Sequence, residues 1–182
     1  MNDPLEVAAA TLTTELGPVW ILATRSGLRG LGLGAREAPS EREARALGIL
    51  YVKRPRWTDP ARRALEKYFA GQEPALDFTL DLAVGSRFER RVWEATRRVP
   101  YGSLVSYGTL AARLGMPGGA RAVGNALGRN PVPIVVPCHR VIHGDQSIGG
   151  FSSGLRWKRF LLELERGQLE LGWEGGTRVR PA

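Results

Sequence analysis

Cysteine is almost absent from this 182-residue chain, with Cys138 the only one. A lone thiol excludes an internal disulfide and any cysteine-based zinc site, and it fits a reducing compartment. Lysine is nearly as scarce: Lys53, Lys67 and Lys158 are the only lysines among 26 basic residues, so the net charge of +8 rests on arginine. Histidine occurs twice, at His139 and His143. No apolar run approaches the roughly 20 residues that a helical membrane span requires; the stretch from Val132 to Val136 is short and interrupted by Pro133. The acidic start, Met1 to Glu6, lacks a basic region followed by an apolar one, so no signal peptide and a cytoplasmic location are expected. Low-complexity linkers and internal repeats are also missing.

What is present is the composition of a soluble globular protein, 43% hydrophobic and 24% charged, long enough for one domain or two small ones. A basic, arginine-rich balance suggests a polyanionic partner, since the planar guanidinium makes paired hydrogen bonds to phosphates and base edges. An arginine-rich genome bias would produce the same totals, and composition does not separate the two.

Two segments of different character follow one another. In the first, Val19 to Thr24 reads as a buried strand, Arg25 to Gly27 as a turn, and Leu28 to Leu33 as a glycine-loosened partner strand. Glu41 to Tyr51 and Ala61 to Ala70 read as helices, the second with Asp59 as N-cap, Pro60 at the first helical position and Gly71 as its stop. Leu76, Phe78, Leu80 and Leu82 alternate with polar residues, the pattern of a half-buried strand. The boundaries expected are a small α+β domain over 1–83 and a mainly helical one over 84–182.

In the second segment, Phe88, Val92, Trp93 and Thr96 share a helix face that must end near Pro100 to Gly102. Ser106 can cap a second helix carrying Leu110, Ala111 and Leu114, closed by Gly115. A third helix runs from about Ala120 to Gly128. Two short helices around a glycine-containing turn form a helix-turn-helix pattern, although helical hairpins in ordinary cores look much the same. Ala120, Val123 and Leu127 are expected to face the core of the third helix, leaving Arg121, Gly124, Asn125 and Gly128 outward. Gly124 costs that helix about 1 kcal/mol relative to alanine, which points to close backbone approach by DNA or by a neighbouring helix.

Cys138 stands beside His139 in Pro137-Cys-His-Arg-Val141. A thiolate is the reactive form of cysteine, and an adjacent base or cation favours it. Unpaired cysteines are nevertheless most often inert core residues. The longer stretch Asn130-Pro-Val-Pro-Ile-Val-Val-Pro-Cys-His-Arg-Val-Ile142 resembles the active-site segment of the O6-alkylguanine-DNA alkyltransferases, which repair alkylated guanine in one irreversible step. The resemblance covers about Gly85 to Glu165. It implies an α+β chain with a small ribonuclease H-like α/β domain ahead of a helical, helix-turn-helix domain. It also implies stoichiometric transfer of the alkyl group from O6-alkylguanine, and from O4-alkylthymine, in double-stranded DNA to Cys138.

By that resemblance His139 takes the thiol proton through a water, and Glu165 orients and charge-stabilises His139. Independently, Glu165 follows Leu161 and Leu162 by four and three positions and shares their inward helix face, where a salt bridge to an arginine is the competing reading. The resemblance further implies that Tyr107 donates its phenolic proton to the guanine ring and that Arg121 fills the gap left by the flipped base. Ala122, Gly124 and Asn125 then lie on the DNA-facing helix. Val141 would offer its carbonyl to the base, Ser152 its backbone N–H to the alkylated oxygen, and Phe151 a wall of the pocket. Asn130 would brace the turn before the cysteine and Arg140 would anchor it. Packing, surface turns and ordinary ion pairs are the alternative readings of these residues. His143 departs from the pattern and reads as a surface or satisfied histidine with no chemical role. No cofactor is expected, because alkyl transfer needs only a soft nucleophile and a protonated leaving group. Some relatives carry a zinc in the first segment, but here that segment has no cysteine or histidine, so no metal is expected. The protein is expected to act as a monomer.

Two other classes remain: a lesion-recognition protein that does not transfer the alkyl group, in which the cysteine is replaced, and a helix-turn-helix regulator indifferent to thiol chemistry. The glycine-rich tail from Gly167 to Ala182, with Trp173, is expected to pack loosely.

Overall fold

The computed structural model describes residues 3–34 and 38–167, so the tail expected to pack loosely lies, beyond Gly167, outside the described residues. The chain forms two compact units that part between Val84 and Gly85.

The first unit is built on a four-stranded sheet in the order β3-β2-β1-β4. Strands β1 (Leu5–Thr14), β2 (Gly17–Thr24) and β3 (Gly27–Leu33) form an antiparallel meander, so the hairpin read from Val19 to Leu33 is present. Strand β1 was not legible: its run of alanines favours helix, and only Val7, Ala8 and Leu12 along it are buried. Glu41 to Tyr51 is not one helix. Helix α1 spans Glu41–Ala46, started by a capping box between Ser40 and Glu43. Gly48, at φ 71°, turns the chain into β4 (Ile49–Tyr51), which pairs parallel with Leu5 to Val7. Long-range pairing with β1 overrides the local helical pattern there.

Helix α2 also begins earlier than expected. It spans Pro55–Phe69, with Pro55 at the first position and Pro60 inside. Asp59 is therefore not its cap. Pro60 is tolerated because the carbonyl it fails to serve, that of Arg56, lies at the exposed start of the helix. Helix α2 packs on β1 and β2 through Leu65 and Tyr68, both fully buried. The expected strand from Leu76 to Leu82 reduces to one bridge, Leu80 to Leu28, with Leu28 N donating to Thr79 O and Asp81 N to Leu28 O, each at 2.9 Å. The in-out alternation of burial survives without a ladder, and the Asp81 carboxylate is fastened by Thr24 Oγ1 at 2.8 Å and Arg29 Nη1 at 2.9 Å.

The second unit is helical. Helix α3 (Arg87–Arg97) starts with a capping box between Ser86 and Glu89 and buries Val92, Trp93 and Thr96. A two-residue strand β5 (Val105–Ser106) leads into α4 (Tyr107–Arg113), which Ser106 caps through Thr109 N. After the turn at Gly115, α5 (Ala120–Gly128) completes the helix-turn-helix. Its buried residues are Val123, Ala126 and Leu127. Ala120 is only half-buried, a correction to the expected core face, because the i, i+3, i+4 stripe is centred on Ala126. Ala126 O accepts the Trp93 indole N–H at 2.9 Å, locking α3 to α5. Strand β6 (Val141–Ile142) pairs parallel with β5, and α6 (Leu155–Glu165) covers the site segment.

Trp93 is 1% exposed. Trp93→Phe removes its volume and its hydrogen bond together, and is expected to cost about 1–3 kcal/mol of stability, read as a lowered urea midpoint at unchanged slope.

Candidate active site

The segment from Asn130 to Arg140, ahead of β6, is irregular because three of its residues are proline and part of its backbone bonds to the Asn130 side chain. Asn130 Oδ1 accepts from Val132 N at 3.0 Å, while its Nδ2 donates to Val136 O at 2.9 Å and to Cys138 Sγ at 3.0 Å. One buried amide thus closes the turn and reaches the sulfur. Ile134, fully buried, is held at φ 74°, a strained conformation for a β-branched residue. Pro137 takes φ −79° and ψ 62°, the values of an inverse γ-turn, and Cys138 N donates across it to Val136 O at 2.7 Å. Cys138, His139 and Arg140 then form a single 3-10 turn and are all buried.

This turn aims His139 away from ordinary strand geometry and onto α6, where its Nε2 lies 2.7 Å from Glu165 Oε1. Arg140 meets the same carboxylate twice, Nε to Oε2 and Nη2 to Oε1, each at 2.8 Å, while its Nη1 donates to Val99 O at 2.6 Å. Gly102 N adds a fourth donor to Glu165 at 3.1 Å. Glu165 therefore bonds an arginine and the histidine at once, the contacts that the two readings called for separately. Burial alone would raise the Glu165 carboxyl, but hydrogen bonds and positive charge from His139 and Arg140 overcome it and hold the group well below the usual carboxylate range. Burial lowers His139 below its ordinary 6.5; Glu165 opposes this, and the charges of Arg140 and Lys158 add to it. The imidazole is neutral at pH 7, and a proton on Nε2 facing the carboxylate makes Nδ1 its basic nitrogen.

Lys158 was not singled out in the sequence. It is fully buried in α6, with Nζ donating to Val141 O at 2.7 Å and to Gly150 O at 3.3 Å and lying 5.9 Å from the Tyr107 ring centre. Burial pulls its amine down to about 8, resisted by attraction to the Cys138 sulfur. The signal was available: Lys158, Leu161, Leu162 and Glu165 follow the i, i+3, i+4, i+7 rule of one helix face. Burial pushes the Cys138 thiol up from its ordinary value, with Asn130 and Lys158 pulling the other way.

In front of the sulfur lies a cavity of about 480 Å³, within the range of small-ligand sites. Cys138, Tyr107, Arg121, Gly124, Asn125, Phe151 and Ser152 all line it. His143, given no role in the sequence, lines it as well. Ala122, Asn130, Arg140 and Val141 are not part of the lining, and the Val141 carbonyl is held by Lys158. Tyr107 is half-buried, and burial, then the negative charge available to Cys138, raise its phenol above the ordinary 10. A Cβ on Gly124 would come no nearer than 3.7 Å to any neighbour in the chain. Internal packing therefore does not require glycine there. Among the described residues no three His, Cys, Asp or Glu side chains group as a metal site, and no helix is long and apolar enough to cross a membrane.

Residues 87–167 match the family model described as the DNA binding domain of 6-O-methylguanine DNA methyltransferase, and residues 7–82 match its ribonuclease-like domain. The methylated-DNA–protein-cysteine methyltransferase of Salmonella typhimurium is 40% identical over 88% of this chain and 96% of its own. That of Mycolicibacterium paratuberculosis is 49% identical over 64% of this chain and 70% of its own. The crystal structure of Mycobacterium tuberculosis OGT in complex with DNA superposes with a TM-score of 0.76 at 36% identity, covering 90% of this chain and 94% of that one. These define a class of two-part proteins with a ribonuclease-like unit ahead of a helical DNA-binding one. The chain belongs to the 6-O-methylguanine DNA methyltransferase family.

Because His139 and Glu165 both have folded values below their unfolded ones, the native state binds fewer protons, and the stability they contribute is complete above those unfolded values. Stability is expected to fall as pH drops below 6.5, through His139, and again below 4.5, through Glu165. The first phase has a limiting slope of about 1.4 kcal/mol per pH unit for one proton. Urea midpoints at pH 7.5, 5.5 and 4 check this, and His139→Gln should remove the first phase while keeping the second.

Proposed function

We propose that this protein repairs alkylated guanine in duplex DNA by moving the alkyl group onto Cys138, and that each molecule acts once. The observation that carries the reading is the placement of Cys138 at the cavity wall, with Tyr107 and Arg121 beside it and the buried His139–Glu165–Arg140 cluster behind. The thiol proton passes through a water to Nδ1 of His139, and Sγ attacks the alkyl carbon in line with the bond to oxygen 6. A sulfur–carbon bond forms and the carbon–oxygen bond breaks. Tyr107 gives its phenolic proton to the guanine ring as that bond breaks, so guanine leaves as the neutral base, and the proton gained by His139 balances the one lost from Tyr107. The products are intact guanine and S-alkylcysteine. Lys158 supports the developing thiolate charge from within the buried site.

The net charge of +8 and the exposed Arg121 on α5 support binding to the DNA backbone and entry into the groove. Gly124 and Asn125 leave that helix face low enough for a minor groove, with Ala122 flanking it, and Arg121 takes the place of the flipped base. Ser152 and Phe151 bound the alkyl group, and O4-alkylthymine is a second substrate of the same chemistry. A single free thiol that must stay reduced suits the cytoplasm.

Incubation with duplex DNA carrying one O6-methylguanine should raise the intact mass by one methylene, localised to Cys138 and saturating at one per chain. Cys138→Ala should retain lesion binding and gain no mass. Tight binding without any mass gain by the unaltered chain would establish lesion recognition only, and the absence of both binding and transfer would overturn the proposal.

A further inference from the structure

His143 leaves β6 at the mouth of the cavity, in a turn bonded to itself. Its N–H donates to Ser147 O at 2.9 Å, and its carbonyl accepts from Gln146 N at 3.0 Å. Asp145 Oδ1 accepts from Ser147 N at 3.0 Å and from Ser147 Oγ at 2.7 Å. The backbone that carries the imidazole is therefore anchored although the side chain reaches an open cavity wall. The ring lies against Tyr107, centroids 5.3 Å apart and planes tilted by 52°, inside the range of favourable aromatic pairs.

The return arm of the same turn meets the same phenol. Gly149 sits at φ 69°, and a Cβ there would stand 3.1 Å from both Cε2 and Oη of Tyr107 and 3.3 Å from Cδ2 of His143. The opposite ring edge, Cε1 and Cδ1, faces Gly124 of α5. The phenol thus has α5 on one edge and the turn of His143 and Gly149 on its hydroxyl edge. We propose that His143 is a positioning residue for Tyr107: its imidazole holds the phenol against the turn, so that the hydroxyl meets the departing base at the right place. The inference rests on the proton-donor reading of Tyr107 given above. Misplacement of a donor by a fraction of an ångström is felt in the rate of the bond-breaking step, with little effect on DNA affinity.

The test compares the intact chain with His143→Ala, His143→Phe, Tyr107→Phe and the double variant Tyr107→Phe/His143→Ala. It measures affinity for lesion-bearing duplex and the transfer rate from the bound state, together with the Tyr107 ring proton resonances in the DNA-free protein. His143→Ala is expected to slow transfer by roughly three- to tenfold, the rate equivalent of losing one aromatic pair, with affinity unchanged and the Tyr107 ring resonances shifted. His143→Phe, which restores a ring, should recover the rate. In the Tyr107→Phe background, removing His143 should change nothing further, since the hydroxyl it positions is gone. A wild-type rate in His143→Ala, a His143→Phe as slow as the alanine variant, or additive losses in the double variant would each overturn the positioning role while leaving Tyr107 as donor. A Tyr107→Phe that transfers at the wild-type rate would overturn the donor reading, and the positioning role with it.

Discussion

Four donors converge on the buried carboxylate of Glu165: His139 Nε2, two nitrogens of Arg140 and the Gly102 amide. They come from the 3-10 turn and from the loop after α3, so one side chain near the end of α6 ties three separate stretches together. A carboxylate in that position opposes the helix dipole and has lost its water, and only charge-assisted bonds offset both costs. Removing it would leave Arg140 buried without its counter-ion, a defect of about 3–5 kcal/mol. The orientation of His139 depends on the same pair, because the imidazole is directed by the carboxylate that Arg140 already neutralises.

That neutralisation shapes the electrostatics in front of the cluster. Burial holds His139 uncharged against the pull of Glu165, and the charges of Arg140 and Lys158 act in the same direction as burial. The Cys138 thiol is driven toward its protonated form by burial, while Asn130 and Lys158 favour the thiolate. Burial therefore favours a protonated thiol at Cys138 and a neutral imidazole at His139, in adjacent positions of one turn. The strain at Ile134 and the inverse γ-turn at Pro137 belong to the same construction, since they deliver Cys138 to the cavity and His139 to α6 from adjacent positions, which an extended strand would send to opposite faces.

Much of the helical unit was legible because its signals are local. Ser106 caps, Gly115 turns the chain, Val92 and Trp93 share a face, and Leu161, Leu162 and Glu165 share the inward face of α6. The first unit was less legible where partners lie far apart in sequence: β1 carries a weak pattern, and β4 is a strand only because Leu5 to Val7 lies beside it. Within the site, Cys138, His139 and Glu165 were visible as residue types at telling positions, and Lys158 could have been found on the same helical stripe as Glu165. His143 could not, because its relation to Tyr107 runs through a turn whose path depends on Gln146 and Gly149 at positive φ.

The sequence by itself determined which thiol the site can hold, since a chain with one cysteine has no other. It also determined the helix-turn-helix and the inward face of α6, because capping, glycine stops and helical periodicity act within a few residues. Tertiary structure alone decided that the Glu165 carboxylate is shared between His139 and Arg140, that Lys158 holds the Val141 carbonyl, and that His143 faces Tyr107. Those relations join residues up to tens of positions apart, and their energies arise from burial and hydrogen-bond geometry, which exist only once the chain has folded.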